Sequence, residues 1–261
     1  MNRIQVTNKT SMKLTFVGLS CFLIEDKKGG RLLIDPFNDT PRWTLGLTLP
    51  KKLNADIFLA SHADADHSYL DERFVEHKQR NDEKHTTNIS IFPDLNLRGT
   101  LVKEWNGDLC IAYHFTVDGL RCLHLADNSH PLTKKQIKEF GQIDILFLPM
   151  TKSRSENIDV ELKIIGQLKP KIVIPSHTIP LPLKTVRRGY KVVYEKIKKI
   201  MLPHKNPAIN EYSFGIFSYM LLVANNLTKK ISTKEITGCN VEIKKLPSKT
   251  TVYYFDKCSA K

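Results

Sequence analysis

The stretch ADIFLASHADADH, residues 55–67, passes from an unbroken apolar run into two histidines and two aspartates, His62, Asp64, Asp66 and His67. A continuous apolar run bounded in this way marks a strand buried on both faces. Its C-terminal end delivers His62. Imidazole and carboxylate side chains this close in sequence suit a divalent metal.

The same arrangement recurs downstream. GLRCLHLAD (119–127) reads as a strand ending in Asp127, IDILFLPM (143–150) as another buried strand, and PKIVIPSH (170–177) as a strand ending in His177. Helices are predicted between them. SYLDERFVEHKQRN (68–81) starts at Ser68, LTKKQIKEFG (132–141) has Thr133 as N-cap and Gly141 just past its end, and DVELKIIGQLK (159–169) is amphipathic. Upstream, KLTFVG (13–18), SCFLIE (20–25) and RLLIDPF (31–37) are strands, with the turn residues DKKGG (26–30) joining the last two. NVEIKKLPSKTTVYYFD (240–256) reads as a closing hairpin. Residues 178–213 are proline-broken and basic, with one helix expected at about 187–200, and FGIFSYMLLVA (214–224) is a core strand or helix. Hairpins followed by strand–helix alternation give an α/β layered protein with helices covering sheet.

Bulk properties narrow the function classes. The chain has 261 residues, 41% of them hydrophobic, which is ample for a buried core and too apolar for a disordered chain. No apolar run reaches the ~18 residues of a membrane span, and the N-terminus lacks a secretory pattern. Cys21, Cys110, Cys122, Cys239 and Cys258 are scattered without a CxxC pair, which fits reduced thiols and a cytoplasmic protein. The net charge of +13 favours anionic partners. The lysines are spread along the chain, and no aromatic residues interleave with basic ones as a single-strand platform needs. A small anionic substrate is therefore favoured over nucleic acid, which stays open, and no membrane partner is expected. The oligomeric state is left open.

In a layered sheet, strand C-termini converge on one edge, where ligands bind. Three strands here end in metal-competent residues: His62 with the residues after it, Asp127, and His177. Distant segments delivering His and Asp to one rim carry more weight than any one motif.

SHADADH is similar to the HxHxDH signature of the metallo-β-lactamase superfamily. GLSCFLIE…LLIDPF resembles that family's opening hairpin, HLADNSHPLT…IDILFLPM its bridging-aspartate segment, and LKPKIVIPSH its last-histidine segment. Within the superfamily the chain resembles the branch of cytoplasmic zinc-dependent hydrolases similar to L-ascorbate-6-phosphate lactonase. The likeness covers about 13–180. It implies a four-layer αββα sandwich formed by residues 1–261 as a single domain, with a basic insertion or lid at about 178–235. It also implies a rim holding two metals, one bound by the first two histidines of the signature plus a later one, the other by the Asp-His pair and the last histidine. An aspartate bridges them, and a metal-bound hydroxide attacks an ester, lactone or phosphoester.

By this resemblance the second metal's set is complete: Asp66, His67, His177 and bridging Asp127. The first set is not. His62 matches, but Asp64 stands where the middle histidine belongs. LVKEWNGDLC (101–110) places Trp105 or Asn106 where the third histidine should be, and His114 falls inside the next strand. Leu19 replaces a further histidine. Asp64 adds an oxygen and a charge, shifting preference toward Mn²⁺ or Fe²⁺ over Zn²⁺. The expectation is one tightly bound divalent metal (Zn, Mn or Fe), with the second weak or absent. Asp35 and His124 are candidates for hydrogen bonding to metal-bound histidines. Asp66 and His130 are candidates for the chemistry, His130 as a proton donor to the leaving group. Lys152 and Arg154 are candidates for binding a substrate phosphate or carboxylate. The rival readings are a metal-dependent nuclease or phosphodiesterase and a non-catalytic metal- or ligand-binding member of the fold.

Overall fold

The computed structural model describes residues 11–39, 47–69, 95–150, 158–201 and 211–259. The strands are β1 (Met12–Gly18), β2 (Cys21–Glu25), β3 (Arg31–Ile34), β4 (Ile57–Leu59), β5 (Arg98–Lys103), β6 (Leu109–Val117), β7 (Leu120–His124), β8 (Ile145–Pro149), β9 (Ile172–Ser176), β10 (Ser232–Ile236), β11 (Asn240–Ile243) and β12 (Thr251–Phe255). The helices are α1 (Lys134–Phe140), α2 (Asp159–Leu168), α3 (Leu183–Val186), α4 (Tyr190–Met201) and α5 (Glu211–Lys230).

They form two sheets, ordered β11-β1-β2-β3-β4 and β10-β12-β9-β8-β7-β6-β5. The opening strands β1, β2 and β3 pair antiparallel as the sequence predicts. The turn at 26–30 closes because Asp26 Oδ1 accepts from the Lys28 and Gly30 amides at 2.8 Å, while Gly29 takes a φ of 87°. The run at 55–62 supplies only a short strand, β4, parallel to β3, before the chain turns into the histidine–aspartate loop. In the second sheet β7, β8, β9 and β12 run parallel and carry near-continuous apolar sequence, as strands covered on both faces do.

The expected closing hairpin at 240–256 is not one. β11 pairs antiparallel with β1 at the edge of the first sheet, whereas β12 lies between β10 and β9 in the second. Burial gives the reason. β12 is buried at every position, whereas β11 is buried at one position in four, so the two strands suit a sheet interior and a sheet edge, not one ribbon.

One apolar cluster lies between the sheets, where Phe22 meets Phe147 at 4.7 Å between ring centroids. A second covers the outer face of the second sheet with Phe140 of α1, Ile164 and Leu168 of α2, and Val223 and Leu227 of α5. A third covers the outer face of the first sheet with Val186 of α3, Val193 and Ile197 of α4, and Phe214 and Leu221 of α5. The order of layers is helix, sheet, sheet, helix. The apolar run at 214–224 is helical and belongs to both outer clusters, which explains why it is apolar on more than one side. α1 begins with a capping box, Thr133 and Gln136 satisfying each other's backbone amides, and ends at Gly141. Of the helix predicted at 68–81, only Ser68 and Tyr69 fall among the described residues.

Candidate metal centre

The site forms where strand ends from both sheets meet. The loop after β4 brings His62, Asp64, Asp66 and His67; the loop after β7 brings Asp127; the residue after β9 is His177. Four non-glycine residues on this rim, Leu19, Asp35, Ala126 and His177, hold positive φ between 48° and 55°. Such backbone is unfavourable for side chains other than glycine and concentrates at functional sites. A bridge between Leu19 and Thr178 ties the opening hairpin to the His177 loop.

His177 Nε2 lies 3.1 Å from Asp127 Oδ2 and 3.4 Å from Asp66 Oδ2. His67 Nε2 lies 3.3 Å from Asp127 Oδ1 and 3.7 Å from Asp66 Oδ2. These residues, with His62, account for two compact donor groups, His62–His67–Asp127 and Asp66–His67–His177. His67 is fully buried, His177 and Asp127 nearly so, and Asp66 about one-third exposed. The Nε2 atoms of His62, His67 and His177 are buried without a hydrogen bond of good geometry among the described residues. Buried polar atoms left in this way are costly. Facing carboxylates across a few ångströms, they fit a divalent cation.

Asp35 sets the orientation. It is fully buried at the end of β3 and accepts from the Ser61 amide at 2.8 Å and the Ser61 hydroxyl at 2.9 Å. His67 Nδ1 donates to Asp35 Oδ2 at 2.9 Å, which turns Nε2 toward Asp66 and Asp127. Ser61 Oγ, whose proton goes to Asp35, accepts from His62 Nδ1 at 2.9 Å, so His62 Nε2 carries its lone pair outward. Ser61 is a residue the sequence reading missed, although it opens the quoted motif. A serine beside a ligand-type histidine was the available signal.

His124 is buried and takes a different part. Its Nε2 donates to the Ser20 carbonyl at 3.3 Å and its Nδ1 accepts from the Ala126 amide at 3.3 Å. It therefore pins the two sheets together and fixes the turn that carries Asp127. It comes no closer than 3.7 Å to Asp35 and touches neither His67 nor His177 by hydrogen bond among the described residues. His130 is not brought into the cluster. It is exposed, and its Nδ1 donates to the Lys103 carbonyl at 3.3 Å. His114 sits within β6 opposite Arg98 and joins no donor group among the described residues. Lys152 and Arg154 lie outside the described residues.

The first donor set is fuller than the sequence reading allowed. Glu104, at the end of β5, is 3% exposed, and its Oε1 lies 3.5 Å from His62 Nε2; Asp64 Oδ2 lies 3.7 Å from the same nitrogen. His62, Asp64 and Glu104 form a third compact donor group. The hairpin loop itself was the signal, because Glu104 directly precedes the two positions where a histidine was sought.

Burial alone would lower the pKa of His67, but the Asp127 and Asp35 carboxylates outweigh it and raise it well above the ordinary value. His177 is likewise raised, by Asp127 and Asp66 against burial. Burial would raise Asp127, yet the His177 and His67 imidazoles hold it well below the ordinary range. Asp66 is also held low, chiefly by His177 and His67 against burial. Burial pushes the Cys110 thiol beside Asp127 up to about 12, so it stays protonated at neutral pH. A pH dependence follows for the metal-free protein. Because the histidine values are raised on folding, their contribution to stability is complete below the unfolded value of about 6.5 and fades as pH rises through the folded values. The raised values favour the doubly protonated rings in the metal-free protein, so a metal competes with a proton at each of them. Calorimetry in buffers of different ionisation enthalpy is expected to record proton release on metal binding at pH 7, shrinking as pH rises. Binding without proton release at pH 7 would contradict this charge state.

Comparisons with known proteins agree with this geometry. Residues 13–177 match the family model of the beta-lactamase superfamily domain, and the chain belongs to that superfamily. A UPF0173 metal-dependent hydrolase of Nanoarchaeum equitans is 30% identical over 203 residues, covering 66% of this chain and 86% of the relative. One from Archaeoglobus fulgidus is 26% identical over 205 residues, covering 66% and 85%. In fold, the chain is similar to a Thermotoga maritima protein described as a Zn-dependent hydrolase of the metallo-β-lactamase superfamily, with a TM-score of 0.56, 20% identity, and coverage of 94% of this chain and 99% of that one. The kinship supports an enzyme of this superfamily. Among the described residues, no helix is long and apolar enough to cross a membrane.

Proposed function

We propose that the chain is a cytoplasmic metal-dependent hydrolase of the lactonase-like branch, acting on an ester, lactone or phosphoester bond of a small anionic substrate. The observation that carries the reading is the convergence of His67 Nε2 and His177 Nε2 on the carboxylates of Asp127 and Asp66. Asp66, His67, His177 and Asp127 would hold the principal metal, Zn²⁺, Mn²⁺ or Fe²⁺. When bound, such an ion supplies Lewis acidity toward the scissile group and brings a water's pKa near neutrality. The chain's own residues do the rest. Asp35 holds His67 by its Nδ1 proton, and Asp66, with a low proton affinity and partial exposure, stays anionic at the mouth of the site. The +13 charge supports an anionic substrate drawn in by the field of the whole protein.

The test is a panel of lactones, thioesters and phosphodiesters assayed with Mn²⁺, Fe²⁺ or Zn²⁺, alongside elemental analysis of protein purified without added metal. Turnover abolished by chelator and by His177→Ala is expected. Turnover unaffected by both, or no metal held after reconstitution, would sink the reading.

A further inference from the structure

The positive charge that is spread along the sequence is dense on one helical face, that of α3 and α4. Residues 184–199 hold seven basic residues and one acidic, Glu195. Lys184, Arg187, Arg188, Lys191, Lys196 and Lys199 are all exposed. None of these six side chains forms an ion pair among the described residues. The pattern of α4 produces the face. Val193 and Ile197 are buried in the cluster on the first sheet, so Lys191, Glu195 and Lys199, spaced one turn apart, point away from the core. Lys191, Lys196 and Lys199 line a common groove with Val192 and Glu195.

The expectation that no aromatic residues interleave with basic ones fails here. Tyr190 and Tyr194 stand within the basic stretch, and α5 sets Tyr219 beside them. The Tyr190 ring centroid lies 5.8 Å from that of Tyr194 and 5.0 Å from that of Tyr219. Tyr190 is 36% exposed, so a ring propped by two others still offers surface to solvent, next to Lys191 in the chain. The entry to α3 is anchored. The Tyr254 hydroxyl donates to the Leu181 carbonyl at 2.8 Å, and the Leu183 amide donates to Glu235 Oε1 at 2.9 Å.

We propose that the α3–α4 face binds single-stranded nucleic acid, with backbone phosphates on Arg187, Arg188, Lys191, Lys196 and Lys199 and a base stacked on Tyr190. Clustered cations without ion pairs attract a polyanion, and release of its condensed counter-ions drives binding further. An exposed tyrosine gives a base a ring to stack on, which a bare lysine patch does not. A lipid surface suits the face less well. A helix lying on a membrane needs an exposed apolar side, and the apolar side of α4 packs into the core. The face shares no residue with the metal centre, so the inference does not depend on the hydrolase reading.

The test is fluorescence anisotropy of a labelled oligouridylate titrated with the full chain in EDTA, between about 50 and 200 mM NaCl. Wild type is expected to bind with log K falling linearly against log salt, by about 0.7 per phosphate held. The triple variant Lys191→Glu, Lys196→Glu, Lys199→Glu should bind roughly tenfold more weakly or worse and flatten the slope by about 2. A control, Lys28→Glu, Lys163→Glu, Lys249→Glu, makes the same change in net charge at exposed lysines elsewhere. It should bind within about threefold of wild type, because salt screens distant charges. Tyr190→Ala should weaken binding roughly tenfold at an unchanged slope, and Tyr190→Phe should restore it. Thermal unfolding checks that each variant is folded. No binding by wild type, equal weakening by the two triple variants, or Tyr190→Ala behaving as wild type would each overturn the inference. So would vesicles of phosphatidylserine and phosphatidylcholine that bind wild type more tightly than the oligonucleotide does. All of these results leave the hydrolase reading untouched, and the substrate panel with His177→Ala tests that reading separately.

Discussion

Asp127→Asn is expected to empty the centre and reduce hydrolysis to background while leaving the fold in place. The residue is 6% exposed and its carboxylate stands between two imidazoles, Oδ1 3.3 Å from His67 Nε2 and Oδ2 3.1 Å from His177 Nε2. An amide has nearly the same shape, so packing against the second sheet is unchanged. It lacks the charge that holds both imidazoles ready, and one of its two ends becomes a donor facing a ring nitrogen that must keep its lone pair. Changes to groups that only support a metal ligand cost roughly 10–100-fold in affinity. A group shared by both donor sets should exceed that, so metal per chain should fall close to zero under conditions that load wild type. The same substitution removes the main cause of the raised His67 and His177 values. Metal-free Asp127→Asn should accordingly lose the extra stability that wild type has below about pH 6.5. Elemental analysis, kcat/KM and unfolding at pH 5.5 and pH 8 check the three statements. Retention of stoichiometric metal would show that Asp127 is not a shared ligand.

Much of this centre was legible in the sequence because its parts sit at strand ends. Short apolar runs such as IDILFLPM and PKIVIPSH, bounded by turn residues, read as interior strands of a covered sheet, and a parallel sheet aligns their C-termini on one rim. Strand ends alone therefore place His177 and the 62–67 group on the same rim. What failed to show was whatever depends on pairing between distant segments. Glu104 looks like an ordinary turn residue in EWNGD, and its inward direction comes from the β5–β6 hairpin loop. Ser61 looks like a small residue before a histidine, and its part depends on Asp35, which arrives from another strand. His124 and Asp127 lie on one short segment, yet His124 turns to Ser20 in the opposite sheet. β11 and β12 read as a hairpin because local alternation carries no information about which sheet a strand joins.

Asp35 carries the second large effect, and two substitutions there separate orientation from stability. Its carboxylate takes three donors in a fully buried position: the Ser61 amide, the Ser61 hydroxyl and His67 Nδ1, all within 2.9 Å. Asp35→Ala leaves all three unsatisfied and strips a buried imidazole of its counter-charge. Breaking a buried pair of this kind costs about 3–5 kcal/mol, so the urea midpoint should fall far and metal should be lost with it. Asp35→Asn fills the same space and can still accept from the Ser61 amide through its oxygen. Its NH₂ group then meets His67 Nδ1 as a donor and forces the ring proton to Nε2, the atom that faces Asp127 and Asp66. The folding cost should be smaller, about 1–3 kcal/mol, while metal affinity drops roughly 10–100-fold. If the Asn variant loses stability but binds metal as wild type does, Asp35 is a structural residue only. If it keeps its urea midpoint and loses metal, the proton on His67 Nδ1 is what readies this ring for metal, and the strand end at Asp35 belongs to the metal centre even though Asp35 itself touches no metal.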